Sequence, residues 1–576
     1  LPSSAGTFYG GYRTVAEHAQ HLSNVAAARP DLAVVVDYGD SWRKLNGQPG
    51  GHDLLALCLT RQRPGDCALS PATDKPRFLL MAAIHARELS TSEMAWRWID
   101  YLVDHYGADP DVTWLLDSQE LWVVPVTNPD GRLIVETANL WQRKNANLTH
   151  CPPSNFQPYD FGVDLNRNAS FAWGGIGSSD EPCSAVFRGP SPASEPEEQA
   201  IETLMRHLFP DQRGPLITDT APLTATGAML TLHSYSNLVL LPWGYVNCAY
   251  GQTCPPALRA PNDPQLRALA FRMSHFNHYE TGQAPELLYA ASGSTDDWAY
   301  GELGIAGFTF EIGPAYDTCG GFHPDYACQD SLFWPENLGA FLYAAKAARR
   351  PYATAPGPST LTPTFSLTAP VRGETTVLGA VIDDTPYGPF GYGRPATQVI
   401  SQAEYTLDLP PWAGGVPRPL AALDGAFDSP TEAVTASLDT CGLPAGRRTI
   451  YVRGQDASGA WGPASAAWIT VTDSTACLSI ALDGPMVAPA GAGQAFTATV
   501  STPTQSLPIT YTWSATGQPV VTHTAGLSAT AWFTWPARGS QAVTVTVETA
   551  IGQAQSSQAV AVVAPGLHLP IVAREE

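Results

Sequence analysis

A chain of 576 residues exceeds one ordinary domain, and about two to four are expected. Hydrophobic residues make up 44% and charged ones only 15%, with 50 Gly and 51 Pro. That balance excludes a disordered chain and suits extracellular β-rich modules. The formal net charge of −22 argues against nucleic acid as a partner, and no apolar run reaches the roughly 20 residues of a membrane span.

In chain order, the start LPSSAGTFYGGYRTVAEH has no apolar core and reads as the mature N-terminus of a secreted protein. VAEHAQHLSNVAAA and SEMAWRWIDYLVDHY carry apolar residues at helical spacing. RFLLMAAI, ELWVVPVTN, AMLTLHSYS and IAGFTFEIG are short apolar runs expected as buried strands, and SLFWPENLGAFLYAAKAARR is expected as a closing helix. This alternation predicts an α/β domain over 1–350, a mixed twisted sheet with helices on both faces. RPYATAPGPSTLTPT, rich in Pro, Thr and Ser, predicts a linker over 351–364. Helical patterns then vanish. RTIYVRGQD, AAWITVTD, QAFTATVST and PITYTWSAT alternate as strands do, and predict two all-β immunoglobulin- or fibronectin-like sandwiches over 365–474 and 475–565, with a tail over 566–576.

The ten cysteines fall into neighbouring pairs: Cys58 with Cys67, Cys151 with Cys183, Cys248 with Cys254, Cys319 with Cys328, and Cys441 with Cys477. None has CxxC spacing, so disulfides in an oxidising compartment are expected rather than a structural zinc site.

His85 and Glu88, in HARE, stand at the end of a buried strand, where open α/β sheets place their sites. They could be two metal ligands, but taken alone the pair is a weak signal and also suits the start of the helix that follows. A third ligand would have to come from another strand end, and His233 is placed to supply it.

The motifs around these residues widen the reading. NPDG at 128–131, RKN at 143–145, DLNRN at 164–168, SEPE at 194–197, HSYS at 233–236, YAASG at 289–293, DW at 297–298 and FTFE at 308–311 follow HARE in order. Residues 9–350 resemble the zinc metallocarboxypeptidases, the family of carboxypeptidases A, B and T. The resemblance implies one Zn²⁺ on His85, Glu88 and His233, with Asp164 hydrogen-bonded to a zinc histidine. It implies Glu311 as general base and Arg143 as stabiliser of the oxyanion, although Gln142 interrupts the family's usual W-R-K. Asn166, Arg167 and Tyr289 match the residues that take the substrate's terminal carboxylate. Arg87 and Tyr235 match residues lining the substrate cleft. Asp296 matches the position that sets side-chain preference, where carboxypeptidase B-like members carry aspartate and A-like members an apolar residue. Gly244 matches a glycine that keeps the pocket wall open, and Asp297 is read as structural. Bacterial-type relatives allow a structural Ca²⁺, but no EF-hand-like spacing marks a site for one.

The expected activity is therefore a secreted zinc carboxypeptidase acting on peptide or protein C-termini, preferring Lys or Arg, with dual basic and hydrophobic specificity as a variant. A cell-wall peptidase acting on diaminopimelate stems and a non-catalytic binding or adhesion protein are the rivals. The β modules are expected to contact a surface or polysaccharide. Trp461, Trp513 and Trp535 suit either sugar stacking or a core. The sequons at Asn147 and Asn168 are assigned no function.

Overall fold

The computed structural model describes residues 7–69, 74–153, 159–441, 443–472, 479–501, 508–549 and 552–565. Two compact units form: Leu1–Pro363 with Ala380–Thr435 and Ile450–Ala467, and Thr364–Gly379 with Ala436–Thr449 and Trp468–Glu576.

The first unit is built on eight strands: β1 (Ala33–Asp40), β2 (Asp53–Leu59), β3 (Arg77–Ala82), β4 (Glu120–Val124), β5 (Ala228–His233), β6 (Leu238–Leu241), β7 (Glu280–Gln283) and β8 (Ala306–Glu311). Their order in the sheet is β1-β2-β4-β3-β5-β8-β6-β7. The central run β4, β3, β5 and β8 is parallel, while β1, β2 and β6 bring antiparallel pairings, so the sheet is mixed. Strands β3, β4 and β5 are buried at every residue. Strands covered on both faces read as continuous apolar runs, as these do.

Alternate residues serve opposite faces. Leu80, Leu230 and Phe308 pack with Met94 and Trp98 of helix Leu89–His105 and with Phe341 of helix Trp334–Ala347. Leu79, Met81 and Met229 pack on the other side with Ile201 and Leu204 of helix Pro196–Leu208 and Trp298 of helix Thr295–Leu303. The two-sided α/β expectation is met.

The expected linker is not one. Pro351 opens a helical turn, Pro351–Thr354, and Ser359–Phe365 is a strand. Pro is favoured at the first helical position, because its missing N–H is not needed there. Tyr352 is buried and its hydroxyl donates to Gly304 O at 2.8 Å. Nor does the first β module separate at 365, because much of it belongs to the first unit. There Ile400–Leu407 pairs with Arg418–Ala422 and with residues 450–456, and Asp384 bonds buried Arg272.

In the second unit a three-stranded and a five-stranded sheet enclose Phe496, Trp513, Phe533, Trp535, Val543 and Val545. Trp513 and Trp535 are therefore core residues. Four of the five expected disulfides form: Cys58–Cys67, Cys151–Cys183, Cys248–Cys254 and Cys319–Cys328. The fifth involves Cys477, which lies outside the described residues, as does the tail 566–576.

Candidate active site

Because β3, β5 and β8 are parallel neighbours, their carboxyl ends meet at one edge of the sheet. Ala82 is level with Leu232, and His233 with Glu311. His85 follows β3 by three residues, and Glu88 holds the N-cap position of helix Leu89–His105 without capping it. Its carboxylate turns to the histidines instead. Oε1 lies 2.7 Å from His85 Nδ1, and Oε2 lies 3.3 Å from His233 Nδ1 and accepts from Ser234 N at 3.2 Å. The helix start is tied by Thr91, whose hydroxyl donates to Glu88 O and accepts from Ala83 N. HARE thus starts the helix and also turns His85 and Glu88 toward His233.

One ligand atom from each of His85, Glu88 and His233 lies within 4.8 Å of the others, and all three residues are buried. The two Nδ1 atoms face each other at 3.1 Å. Two ring nitrogens and a carboxylate oxygen converging in this way fit Zn²⁺ with a coordination position left over. Burial pushes Glu88 up, but the two histidines overbalance it and hold the carboxyl well below its ordinary range.

Asp164 sits behind this group. It accepts from Arg143 Nε at 3.1 Å and Nη2 at 2.9 Å, lies 3.1 Å from His85 Nε2, and accepts from Asn166 N at 3.1 Å. Its burial acts to raise it, yet Arg143 first and His85 next hold it well below the carboxylate range. Burial likewise pulls Arg143 down, while Asp164 and Glu88 raise it further, so the guanidinium stays charged. Gln142 does no harm to this geometry: it is buried and donates to Lys144 O, while Trp141 swings to the surface.

A cavity of about 200 Å³ collects His85, Glu88, His233, Glu311, Arg143, Arg87, Asn166, Arg167, Tyr235, Gly244, Tyr289 and Asp296 on its walls. Every expected site residue except Asp164 lines it. Arg167 is held by Gly177 O and Asn166 O, with the Tyr289 ring 6.0 Å from its Cζ. Asn166 Oδ1 accepts from Thr295 N, which leaves its NH₂ end for the cavity. Burial first and Glu88 second push Glu311 well above the ordinary carboxylate range. Asp297 accepts from the N–H groups of Gly244 and Tyr245 and so shapes the pocket wall.

Sequence reasoning missed Leu240, Ala291, Thr309 and Phe322, which also line the cavity. Phe322 lies 4.0 Å from Arg87 Cζ and packs on Tyr235. It comes from the loop closed by Cys319–Cys328 and carries no signal in the chain order. The function of SEPE becomes visible too. Glu195 accepts from Asn145 and Asn147 side chains, its N–H donates to Asn168 Oδ1, and Glu197 accepts from Asn145. This buried lattice fixes the RKN and DLNRN segments against each other. Both sequon asparagines are inside it and buried, so neither offers an accessible amide.

A sequence profile of the zinc carboxypeptidase family matches residues 18–331, more than half of the chain. Carboxypeptidase A2 of Mus musculus is 33% identical over 308 residues, covering 53% of this chain and 63% of that protein. Carboxypeptidase B of Bos taurus is 31% identical over 249 residues, covering 42% of this chain and 52% of that protein. The chain therefore spans less than two thirds of the length of these curated relatives. A crystal structure of thrombin activatable fibrinolysis inhibitor aligns at a TM-score of 0.47 and 24% identity, covering 61% of this chain and 77% of that one. The chain belongs to the zinc carboxypeptidase family.

Proposed function

We propose that this protein is a secreted exopeptidase that hydrolyses the C-terminal peptide bond of peptides, with a preference for terminal Lys or Arg. The observation carrying this reading is the single cavity shared by the His-Glu-His group, Glu311, Arg143 and the Asn166-Arg167 pair. An exopeptidase must hold a free carboxylate, and a guanidinium beside an amide does so through paired hydrogen bonds. Arg167, Asn166 and the half-exposed Tyr289 take that part. Zn²⁺ held by His85, Glu88 and His233 would supply a Lewis acid for the scissile carbonyl. Glu311 accepts the proton of the attacking water and returns it to the departing amine. Arg143 donates to the oxygen on which negative charge grows, its planar head held in place by Asp164.

Asp296 lines the same cavity, 5% exposed, accepts from the N–H of Asp297, and is taken as the anion that meets the terminal side chain. A shielded carboxylate in a pocket favours a cation over an apolar group. The four disulfides support an oxidising compartment, and the C-terminal sandwich reads as an immunoglobulin-like spacer that contacts a surface or polysaccharide.

The test is release of the terminal residue from matched peptides ending in Lys and in Phe, with and without a zinc chelator. Chelator-sensitive release, faster from the Lys peptide, is expected. No release from either by zinc-loaded protein would overturn the reading in favour of muropeptide cleavage or binding alone.

A further inference from the structure

Edge strand β7 continues its hydrogen bonding beyond the family-matched region. Thr281 N–H donates to Phe390 O at 3.2 Å and Tyr392 N–H donates to Thr281 O at 2.8 Å, a parallel bridge to Gly391. A Cβ on Gly391, whose φ is +124°, would fall 2.1 Å from Thr281 O, so only glycine fits there. Buried Arg267 clamps both sides of the contact. Its Nη1 donates to Tyr392 O at 2.6 Å and to Glu286 Oε2 at 3.1 Å, and its Nη2 to Glu286 Oε1 at 2.9 Å and Gln283 Oε1 at 3.1 Å. Gln283 and Glu286 belong to the capping box of the turn Ala284–Leu287, which leads directly into Leu288 and Tyr289.

The Tyr392 side chain completes the arrangement. It packs, as Leu288 does, against the buried cluster of Leu238, Leu240, Ala284 and Leu287. Three of these, Leu240, Ala284 and Leu288, form the wall of the substrate cavity. Tyr392 itself does not line the cavity but packs against the cluster that supplies part of its wall. Upstream, Gly388 N–H donates to Phe271 O at 2.7 Å, and Arg272 lies over the Tyr387 ring at 3.8 Å, so the segment is anchored on that flank too.

We propose that Tyr392 is a positioning residue: it braces the 284–289 wall from behind, so that a segment outside the peptidase homology helps to set substrate affinity. The inference rests on the carboxypeptidase reading. A wall that loosens weakens ground state and transition state alike, which raises KM and leaves kcat almost unchanged.

The experiment uses the full chain. Tyr392→Ala should raise KM for a Lys-ended peptide about tenfold, with kcat within about twofold, and Tyr392→Phe, which keeps the ring, should restore the wild-type KM. In a Glu311→Gln background, which removes turnover, adding Tyr392→Ala should weaken peptide binding by the same factor in calorimetry. If the alanine variant does not fold, Tyr392→Leu serves in its place. A merely structural role would lower kcat with the folded fraction and leave KM alone, and that result overturns the proposal. So do unchanged KM and Kd in an active enzyme. Absence of cleavage by the wild type would instead overturn the carboxypeptidase reading itself.

Discussion

Asp296→Asn is the most direct probe of specificity. Asp296 stands in the first turn of helix Thr295–Leu303 and is almost fully shielded. Arg87, Arg143 and Arg167 line the same cavity, yet no salt bridge joins any of them to Asp296 among the described residues. A substrate ammonium entering there gains a charge-assisted contact that a phenyl ring cannot. Such contacts are worth about 1.5–3 kcal/mol, and leaving one partner of a buried pair alone costs about 3–5 kcal/mol. Because the pocket opens to solvent, about 3 kcal/mol is the working value, or roughly 100-fold in rate ratio. Asparagine keeps the shape and still accepts the Asp297 N–H. Asp297 is raised by burial and then by Asp296, but its oxygens are taken by Gly244 and Tyr245, so it does not substitute. The assay is kcat/KM on matched peptides ending in Lys and Phe. The Lys-to-Phe ratio should fall about 100-fold, nearly all of it through the Lys peptide. A ratio unchanged within about threefold would refute the assignment of Asp296 as the pocket anion.

Arg143→Ala should cut turnover about 100-fold or more while leaving zinc content by metal analysis unchanged, since the arginine bonds Asp164 rather than serving as a ligand. Loss of zinc along with activity would mean that it acts through Asp164 on metal retention. Burial raises Glu197 from 4.5 to about 8, against the bonds it accepts from Trp42 N–H and Asn145. A carboxyl with a raised folded pKa gives stability that is fully present below its unfolded pKa and lost as pH rises through the folded one. Wild-type stability should therefore fall between about pH 4.5 and 8, at up to about 1.4 kcal/mol per pH unit from this group. Glu197→Gln should flatten that slope in chemical denaturation, and an unaltered slope would remove Glu197 as its source.

What was legible in the sequence was what the chain keeps together. HARE after a buried run, His233 and Glu311 at the ends of two more, and the family's ordered motifs led to one cavity, because parallel strands bring their carboxyl ends to one edge. What was not legible depends on residues far apart in the chain. The Asn145–Glu195–Asn168 lattice joins three motifs, each of which reads alone as polar loop. Phe322 enters through a disulfide loop, and Tyr392 arrives more than 100 residues after the strand it joins. The linker reading failed for a different reason. Pro, Thr and Ser describe a flexible spacer and a proline-started helical turn with a β-strand equally well. Burial of Tyr352 decides between them, and composition does not carry that information.

The bridge from Gly391 to Thr281 has a consequence for the solution behaviour of the catalytic region. An open strand edge is a template on which other chains can pair, and proteins keep such edges short, charged or covered. Strand β7 is the last of its sheet, and its cover comes from beyond residue 331, where the family match stops. A fragment cut at that limit would carry every candidate catalytic residue and would leave the N–H and C=O of Thr281 unpaired at the sheet edge. The extra chain therefore covers part of the edge on which a second copy could otherwise pair.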